Sequence, residues 1–205
     1  MTVAVAEIKR GRKFDQVLDG ARDIFMRDGF EGASVDDIAR AAGVSKATLY
    51  SYFPDKRLLF SEVARIECNR QADAALSEID TQAPVEIALR EAAERVVQFF
   101  LSDFGQQVYR ICVAESYRFP ELGARFYASG PELARARLKQ VFQPYVARGV
   151  LKIDDMDMAA NQFGELCKSD LFTRKLCGVE DTFSEAQISR VVDAVVAMFL
   201  ARYAA

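Results

Sequence analysis

Hydroxyl and amine side chains are concentrated between residues 34 and 56, in the stretch SVDDIARAAGVSKATLYSYFPDK. Ser34 and Ser45 each come directly before a short segment of helical period, so each is placed to cap a helix. The free N–H groups at a helix start also favour a phosphate group. Because Lys46 and Tyr50 add further hydrogen-bonding ends, this stretch predicts binding to a polyanion rather than the making or breaking of bonds.

Residues for catalysis or metal binding are sparse. The chain has no histidine, which excludes Ser-His-Asp and Cys-His catalysis and imidazole metal ligands. The nearest candidate for a nucleophile and its base is Ser45 with Lys46, but adjacent residues on a helix do not face each other. The four cysteines form no C-x-x-C pair, so we expect free thiols, most of them buried: Cys68, Cys112, Cys167 and Cys177. We therefore expect no catalytic residue, no metal site, no cofactor and no enzyme.

The elements that must position the polar stretch are helical. Apolar residues recur at helical period along the whole chain and no alternating β-branched run appears, so the expected fold class is all-α. A first helix begins near residue 12 and ends near Gly29. Ser34, with Asp37 completing a capping box, starts a second helix that ends at Gly43. Ser45 starts a third, and a long fourth helix follows Pro54.

The second and third helices together predict a helix-turn-helix, because two capped helices are joined by a short turn containing Gly43. Ile38, Ala39 and Leu49 are expected to face the shared core, with Val44 beneath the turn. The outward face of the third helix then carries small or polar side chains that suit a DNA major groove, namely Lys46, Ala47, Thr48, Tyr50 and Ser51.

We divide the chain at residue 56. Residues 1–56, ordered from about residue 12, form the expected helix-turn-helix domain, and residues 57–205 form a larger helical domain for ligand binding and dimerisation. Beyond Ile79, turn-forming residues predict a bundle of four or five helices before a final helix capped by Ser184 and Gln187.

The final helix is apolar around more of its circumference than one buried face requires. We take its second side as a dimer contact, made together with the small residues of the preceding helix. The expected interface residues are Ala160, Gly164, Val191, Val192, Val195 and Phe199. A fully buried core helix of a monomer is the alternative.

The distribution of charge and the length of the N-terminal apolar run indicate binding partners and cellular location. The net charge is −3, yet Lys9, Arg10, Arg12 and Lys13 cluster at the start of the first helix, where cations oppose the helix dipole and a phosphate backbone is a natural partner. A solvated basic end without a partner is the alternative. The N-terminal apolar run is short and interrupted by charges, so we expect neither a signal peptide nor a membrane partner, and a cytoplasmic protein.

At fixed spacing, the N-terminal region resembles the DNA-binding domain of TetR-like transcriptional regulators over about residues 12 to 60. The matching residues are Ser34, Ile38, Ala39, Ala42, Gly43, Val44, Ser45, Thr48, Leu49, Tyr50, Tyr52, Phe53, Lys56 and Leu59. Two positions depart from the family pattern: Ser34 stands in place of threonine and Ala47 in place of glycine. The first keeps the hydroxyl, and the second bears on which operator is read.

The resemblance implies a set of DNA-contacting residues. Ser34, Tyr50 and Lys56 would contact phosphates, and Lys46, Ala47 and Thr48 would lie closest to base edges. The full expected set is Ser34, Ser45, Lys46, Ala47, Thr48, Tyr50, Tyr52 and Lys56. Alternatively, the two serines serve as helix caps, the tyrosines pack, and Lys56 is an ordinary surface lysine.

A weaker resemblance, to the ligand-binding halves of AcrR-like and AefR-like members, covers the rest of the chain. It depends on Phe119–Leu122, Phe126, Tyr127, Gly130, Pro131, Gly149 and Ile153–Asp155. Such domains bind amphipathic or aromatic small molecules. The expected lining is Phe99, Phe104, Tyr109, Cys112, Glu115, Phe126, Phe142 and Phe163. Core packing is the alternative for the aromatics, and pairing with Arg110 or Arg118 is the alternative for Glu115.

These features predict a homodimeric repressor that a small-molecule effector releases from a palindromic double-stranded DNA operator. One alternative is an activating or ligand-independent regulator. Another is a helical ligand-binding protein without DNA function, against which the intact helix-turn-helix spacing argues.

Overall fold

A computed structural model describes residues 11–77 and 79–205, with the side chains of 72–77 left undescribed. No β-sheet occurs in this part of the chain, so the all-α expectation is confirmed there. The helices are α1 Arg12–Gly32, α2 Val35–Ala41, α3 Lys46–Tyr52, α4 Lys56–Ser77, α5 Val85–Leu101, α6 Asp103–Glu115, α7 Pro120–Tyr127, α8 Leu133–Ala147, α9 Met156–Leu166, α10 Leu171–Leu176 and α11 Glu185–Tyr203. A π-helical turn, Ala128–Glu132, joins α7 to α8.

The first three helices form the expected helix-turn-helix unit. Gly29 has a φ of 69°, which breaks α1 near its end where the sequence predicts a stop. Ser34 Oγ accepts a hydrogen bond from the Asp37 N–H, and Gly43, with a φ of 63°, ends the turn after α2. Ile38 and Leu49 are buried, so α2 and α3 share one core.

The core of this unit does not stop at residue 56. Leu59, Phe60 and Val63 of α4 are buried with the side chains of α1–α3. Val108 and Cys112 of α6 lie in the same cluster, as does Leu122 of α7. The helix-turn-helix is therefore packed continuously onto α4, α6 and α7, and the division at residue 56 falls within a shared core.

A second core fills the C-terminal body, between α5, α8, α9 and α11. Its centre is aromatic: Phe142, Phe163 and Phe199 are almost completely buried, with ring centroids 4.8 to 5.5 Å apart. Ser184 and Gln187 form the expected capping box at the start of α11. None of the helices in the described part of the chain is long and apolar enough to span a bilayer.

The body contains more helices than the sequence predicts. Between residue 79 and the final helix α11, six α-helices are described instead of the predicted four or five. The sequence predicts the break at Ser102 between α5 and α6, and the structure confirms it. It does not predict the break at Cys167–Asp170 between α9 and α10, where Asp170 has a φ of 60°. This segment contains neither glycine nor proline, so no turn signal marks it.

Candidate DNA-binding surface and effector region

The exposed face of α3 is the centre of the candidate DNA-binding surface. Lys46, Ala47 and Tyr50 are exposed, while Leu49 is buried beneath them. The Lys46 Nζ lies 2.7 Å from a carboxylate oxygen of Asp36 on α2. Tyr50 is 47% exposed, and its hydroxyl makes no hydrogen bond to the described residues. The arrangement presents one cation, one methyl group and one free phenol on a single helix.

The two serines act as helix caps. Ser45 Oγ accepts a hydrogen bond from the Thr48 N–H at 3.1 Å and lies 2.9 Å from Thr48 Oγ1. Thr48 is therefore half-buried and turned toward the cap. Ser34 Oγ donates to Asp37 at 2.5 Å, and this hydrogen bond, with that from Arg40, lowers the pKa of the Asp37 carboxyl. Both hydroxyls remain on the surface, where a phosphate can approach.

Lys56 is committed largely to the fold. Its Nζ donates to the carbonyl oxygens of Phe30, at 2.8 Å, and Ala33, at 3.0 Å, and lies 4.3 Å from the centre of the Phe30 ring. This ammonium joins the start of α4 to the end of α1. Two of its three donors are used, which makes Lys56 a residue that positions the domain and leaves one donor for a phosphate.

Tyr52 packs instead of facing outward. It is half-buried, and its ring makes an edge contact with Phe14, with centroids 5.6 Å apart. The same contact places the start of α1, with exposed Arg12 and Lys13, beside the end of α3. Lys9 and Arg10 of the basic cluster lie outside the described residues.

Part of the expected effector lining comes together. The ring of Tyr109 on α6 lies 6.0 Å from that of Phe126 on α7 and 4.9 Å from that of Phe172 on α10. Phe172 also contacts Phe100, which in turn lies beside Phe99. Phe100 and Phe172 are not among the lining residues that the sequence predicts, although they share the aromatic character of those that are.

The remaining expected lining residues lie elsewhere. Phe142 and Phe163 belong to the closed core of the body, because α8 and α9 turn both rings toward Phe199. Phe104 and Cys112 pack in the N-terminal core. Burial raises the pKa of the Cys112 thiol to about 12, so this group is a neutral packing residue.

Glu115 faces the DNA-binding unit. Its carboxylate lies 3.2 Å from Nε of Arg57 on α4. The sequence predicts Glu115 in the effector lining, with pairing to Arg110 or Arg118 as the alternative because both are near it in the chain. Arg57 is 58 positions away, so only the packing of α6 against α4 could identify it.

Most of the expected dimer-contact residues are buried inside one chain. Val191, Val192, Val195 and Phe199 of α11 and Ala160 of α9 face the body core. Gly164 is half-buried and has open space where a Cβ would lie. The second side of α11 is exposed and small instead, with Ala194, Ala197, Met198 and Ala201.

Comparison with known proteins agrees with this architecture. Residues 17–63 match the family described as bacterial regulatory proteins of the tetR family. Residues 87–205 match the AefR-like transcriptional repressor C-terminal domain, which is more than half of the chain. The chain belongs to the TetR family of transcriptional regulators.

Similar members of this TetR family include two solved structures. A regulator from Mesorhizobium loti superposes with a TM-score of 0.81 at 28% identity, covering 95% of this chain and 98% of that one. The flavonoid-responsive regulator FrrA superposes with a TM-score of 0.72 at 37% identity, with the same coverage. The transcriptional repressor AcnR of Corynebacterium efficiens is 36% identical over 73 residues, which are 36% of this chain and 38% of AcnR.

Proposed function

We propose that this TetR-family chain is a repressor that binds a palindromic operator as a homodimer and is released by a small-molecule effector. The observation that carries the proposal is the exposed face of α3, where Lys46, Ala47 and Tyr50 stand on an intact, capped helix-turn-helix. A chain bound to bacterial DNA works in the cytoplasm, which is where we place it.

Different residues provide the affinity for DNA and select the base sequence of the operator. Tyr50 and the caps Ser34 and Ser45 bind phosphates, with Lys56 adding its remaining donor. Lys46 and Ala47 lie against base edges in the major groove, and Thr48 supports them. Lys46 is paired with Asp36 in the free chain. When Lys46 contacts a base, this contact replaces its ion pair with Asp36.

For the effector we propose a flat aromatic molecule of the flavonoid kind. Support comes from the response described for FrrA, which is 37% identical along 95% of this chain. Further support comes from the ring cluster of Tyr109, Phe126 and Phe172, since aromatic side chains stack on flat rings with a preferred geometry. The binding site lies at this cluster, between α6, α7 and α10.

The proposed dimer contact is the exposed side of α11, with Ala194, Ala197, Met198 and Ala201. Small side chains let two helices approach closely, as a four-helix bundle between subunits requires. The effector then moves α4, which changes the separation of the two recognition helices relative to half-sites one helical turn apart.

The test is retention of genomic DNA fragments by the intact protein, followed by sequencing of the retained DNA. A palindromic motif should be enriched, and Tyr50→Ala should bind it at least tenfold more weakly. Tyr117→Ala is the matched control, because Tyr117 is 98% exposed but lies in the body. Enrichment of no motif, or equal loss in both variants, would contradict the proposal.

The effector is tested on the same operator complex. A panel of flavonoids should release the protein at concentrations where straight-chain fatty acids do not. Tyr109→Ala should raise the concentration needed for half release at least fivefold while leaving operator affinity unchanged. Release by fatty acids alone would overturn the aromatic assignment and leave the DNA-binding proposal standing.

A further inference from the structure

Helix α6 presents one row of side chains to the DNA-binding unit. Gln107, Ile111 and Glu115 are four residues apart, so they share one face of the helix. Val108 and Cys112, on the adjoining face, are buried in the core of the DNA-binding unit. The row therefore runs along the edge of a contact between α6 and the helix-turn-helix.

Gln107 contacts the end of α1. Its Oε1 accepts a hydrogen bond from the Phe30 N–H at 3.1 Å. This N–H is available because Gly29, with its φ of 69°, interrupts the helical hydrogen bonds just before it. A Cβ at Gly29 would lie 3.0 Å from Gln107 Nε2, so the glycine also makes room for the amide.

Glu115 contacts the start of α4. Its carboxylate pairs with Arg57 at 3.2 Å, and Arg57 is held in turn by Asp55 at 3.0 Å and by the Phe119 ring, whose centre is 5.5 Å away. Both members of the ion pair are 29% exposed. Eight residues separate Gln107 from Glu115, which is about 12 Å along the helix.

An open cleft of about 460 Å³ lies along this row. Ile111 and Ala114 of α6 line one side, and Val35 and Tyr50 of the helix-turn-helix line the other. The side chains across the cleft are not in close packing, so along this edge the polar contacts of Gln107 and Glu115 add to the apolar contacts of Val108 and Cys112.

The opposite side of α6 reaches the effector region. Tyr109 lies in the aromatic cluster with Phe126 and Phe172. Arg110, which also lines the cleft, donates from Nη2 to the carbonyl oxygen of Leu176, at the end of α10, at 3.2 Å. A rotation of α6 that follows either contact displaces Gln107 and Glu115, because one rigid helix carries all four side chains.

We propose that Gln107 and Glu115 form a two-point clasp, with the Phe30 N–H and with Arg57, that fixes the angle of the recognition helix relative to the body. They are positioning residues, because they act through the Phe30 N–H and Arg57 and are assigned no contact with DNA. The proposal rests on the proposed function, since the clasp matters through operator binding. It assigns the regulation of that binding to two named contacts of this chain.

The clasped orientation is the one that fits the operator. A domain that samples more orientations spends less time with its recognition helices at the half-site spacing, and its apparent affinity falls by that fraction. We expect Glu115→Gln and Gln107→Leu each to weaken operator binding three- to tenfold. Each should also lower the effector concentration needed for half release.

The decisive experiment is a charge exchange between the two partners. Arg57→Glu and Glu115→Arg should each weaken operator binding. The double variant should recover part of the loss, because the restored pair forms while Asp55 repels the new carboxylate at position 57. Glu121→Gln, at an exposed position of α7, is the control and should bind as the parent does. Melting temperatures are measured for every variant, so that loss of folding is separated from loss of orientation.

A second readout needs no DNA. In the parent, Gln107 protects the Phe30 amide from hydrogen exchange, and Gln107→Leu should speed exchange there while leaving the α11 amides unchanged. Unchanged exchange at Phe30, or a Glu115→Gln variant with the operator affinity and effector response of the parent, would overturn the clasp. If the parent binds no operator motif, the proposed function fails, and exchange still decides whether the clasp exists.

Discussion

Three of the four thiols are buried: Cys68 and Cys112 in the N-terminal half and Cys167 in the body. Burial raises the pKa of each to about 12, whereas Cys177 is exposed. Because the thiolate is the reactive form, we expect one fast-reacting thiol per folded chain at pH 8 with an aromatic disulfide reagent. Cys177→Ser should remove that phase, and all four thiols of the parent should react in urea. Two or more fast thiols in the folded chain would contradict the burial.

The hydrogen bonds of Lys56 predict a measurable contribution to stability. Lys56→Met removes the hydrogen bonds to the Phe30 and Ala33 carbonyls. We expect the free energy of unfolding to fall by about 2 kcal/mol, the usual contribution of hydrogen bonds to a charged group. Urea denaturation measures the change. Lys46→Met is the control, because its ion pair with Asp36 is exposed, and it should cost much less stability. Equal losses would place Lys56 among the ordinary surface lysines.

Sequence patterns predicted residue types better than residue partners. The exposed positions of α3 and the caps Ser34 and Ser45 follow from local spacing, and the structure has them as predicted except for Thr48, which is half-buried against Ser45. The bonds of Lys56 to α1 and of Glu115 to Arg57 join residues 23 to 58 positions apart. Such contacts depend on how helices are packed, which periodicity does not determine.

Among the helices, the approach of α1 to the end of α2 is unusually close. A Cβ at Gly20 would lie 2.5 Å from the Ala42 N and 2.9 Å from the Ala42 Cβ. Gly20→Ala should therefore push α2 away and lower the free energy of unfolding by about 1–3 kcal/mol. Gly32→Ala, whose nearest neighbour is 3.4 Å away, should change it by less than about 0.5 kcal/mol. A Gly20→Ala variant as stable as the parent would contradict the close approach.

Helix α4 carries a buried carboxylate whose state depends on pH. The hydrogen bond from Arg70 to Glu67, with those from Gln71 and the charge of Arg22, lowers the pKa of Glu67. A lowered pKa in the folded state adds stability above the ordinary value, which is lost as the pH falls through the folded-state pKa. Below about pH 4.5, the stability of the parent should fall more steeply than that of Glu67→Gln. Glu86→Gln, exposed on α5, should follow the parent. Parallel curves for parent and Glu67→Gln would refute this assignment.

Helix starts were predicted well and helix faces less well. Caps such as Ser184 are local signals, and α11 begins where the sequence places it. The apolar excess of α11 did predict two sides, but the larger residues Val192, Val195 and Phe199 are buried against α5 and α9. The exposed side carries alanines and Met198 together with the charged residues Arg190 and Asp193. Hydrophobicity alone ranks the larger residues first, so it selected for the dimer contact side chains that face the core of one chain.

For the whole molecule, the proposed dimer makes a direct prediction. Ala194→Arg places a guanidinium on the exposed side of α11, where burial without a partner is costly. Sedimentation should show a monomer, and operator binding should fall more than tenfold, because one half-site is then bound without the other. Ala147→Arg, at the exposed end of α8, should leave both unchanged. A dimeric Ala194→Arg would place the contact elsewhere.

The shared N-terminal core also determines how this chain can be re-engineered. A biosensor can be built by joining the DNA-binding domain of one regulator to the ligand-binding domain of another. A graft cut after residue 56 would separate Phe53 from Phe60, and it would separate both from Val108 and Leu122. The exchanged segment must instead carry the first half of α4 together with α6 and α7. Operator choice in this chain is best altered by rewriting the outer side chains of α3 in place.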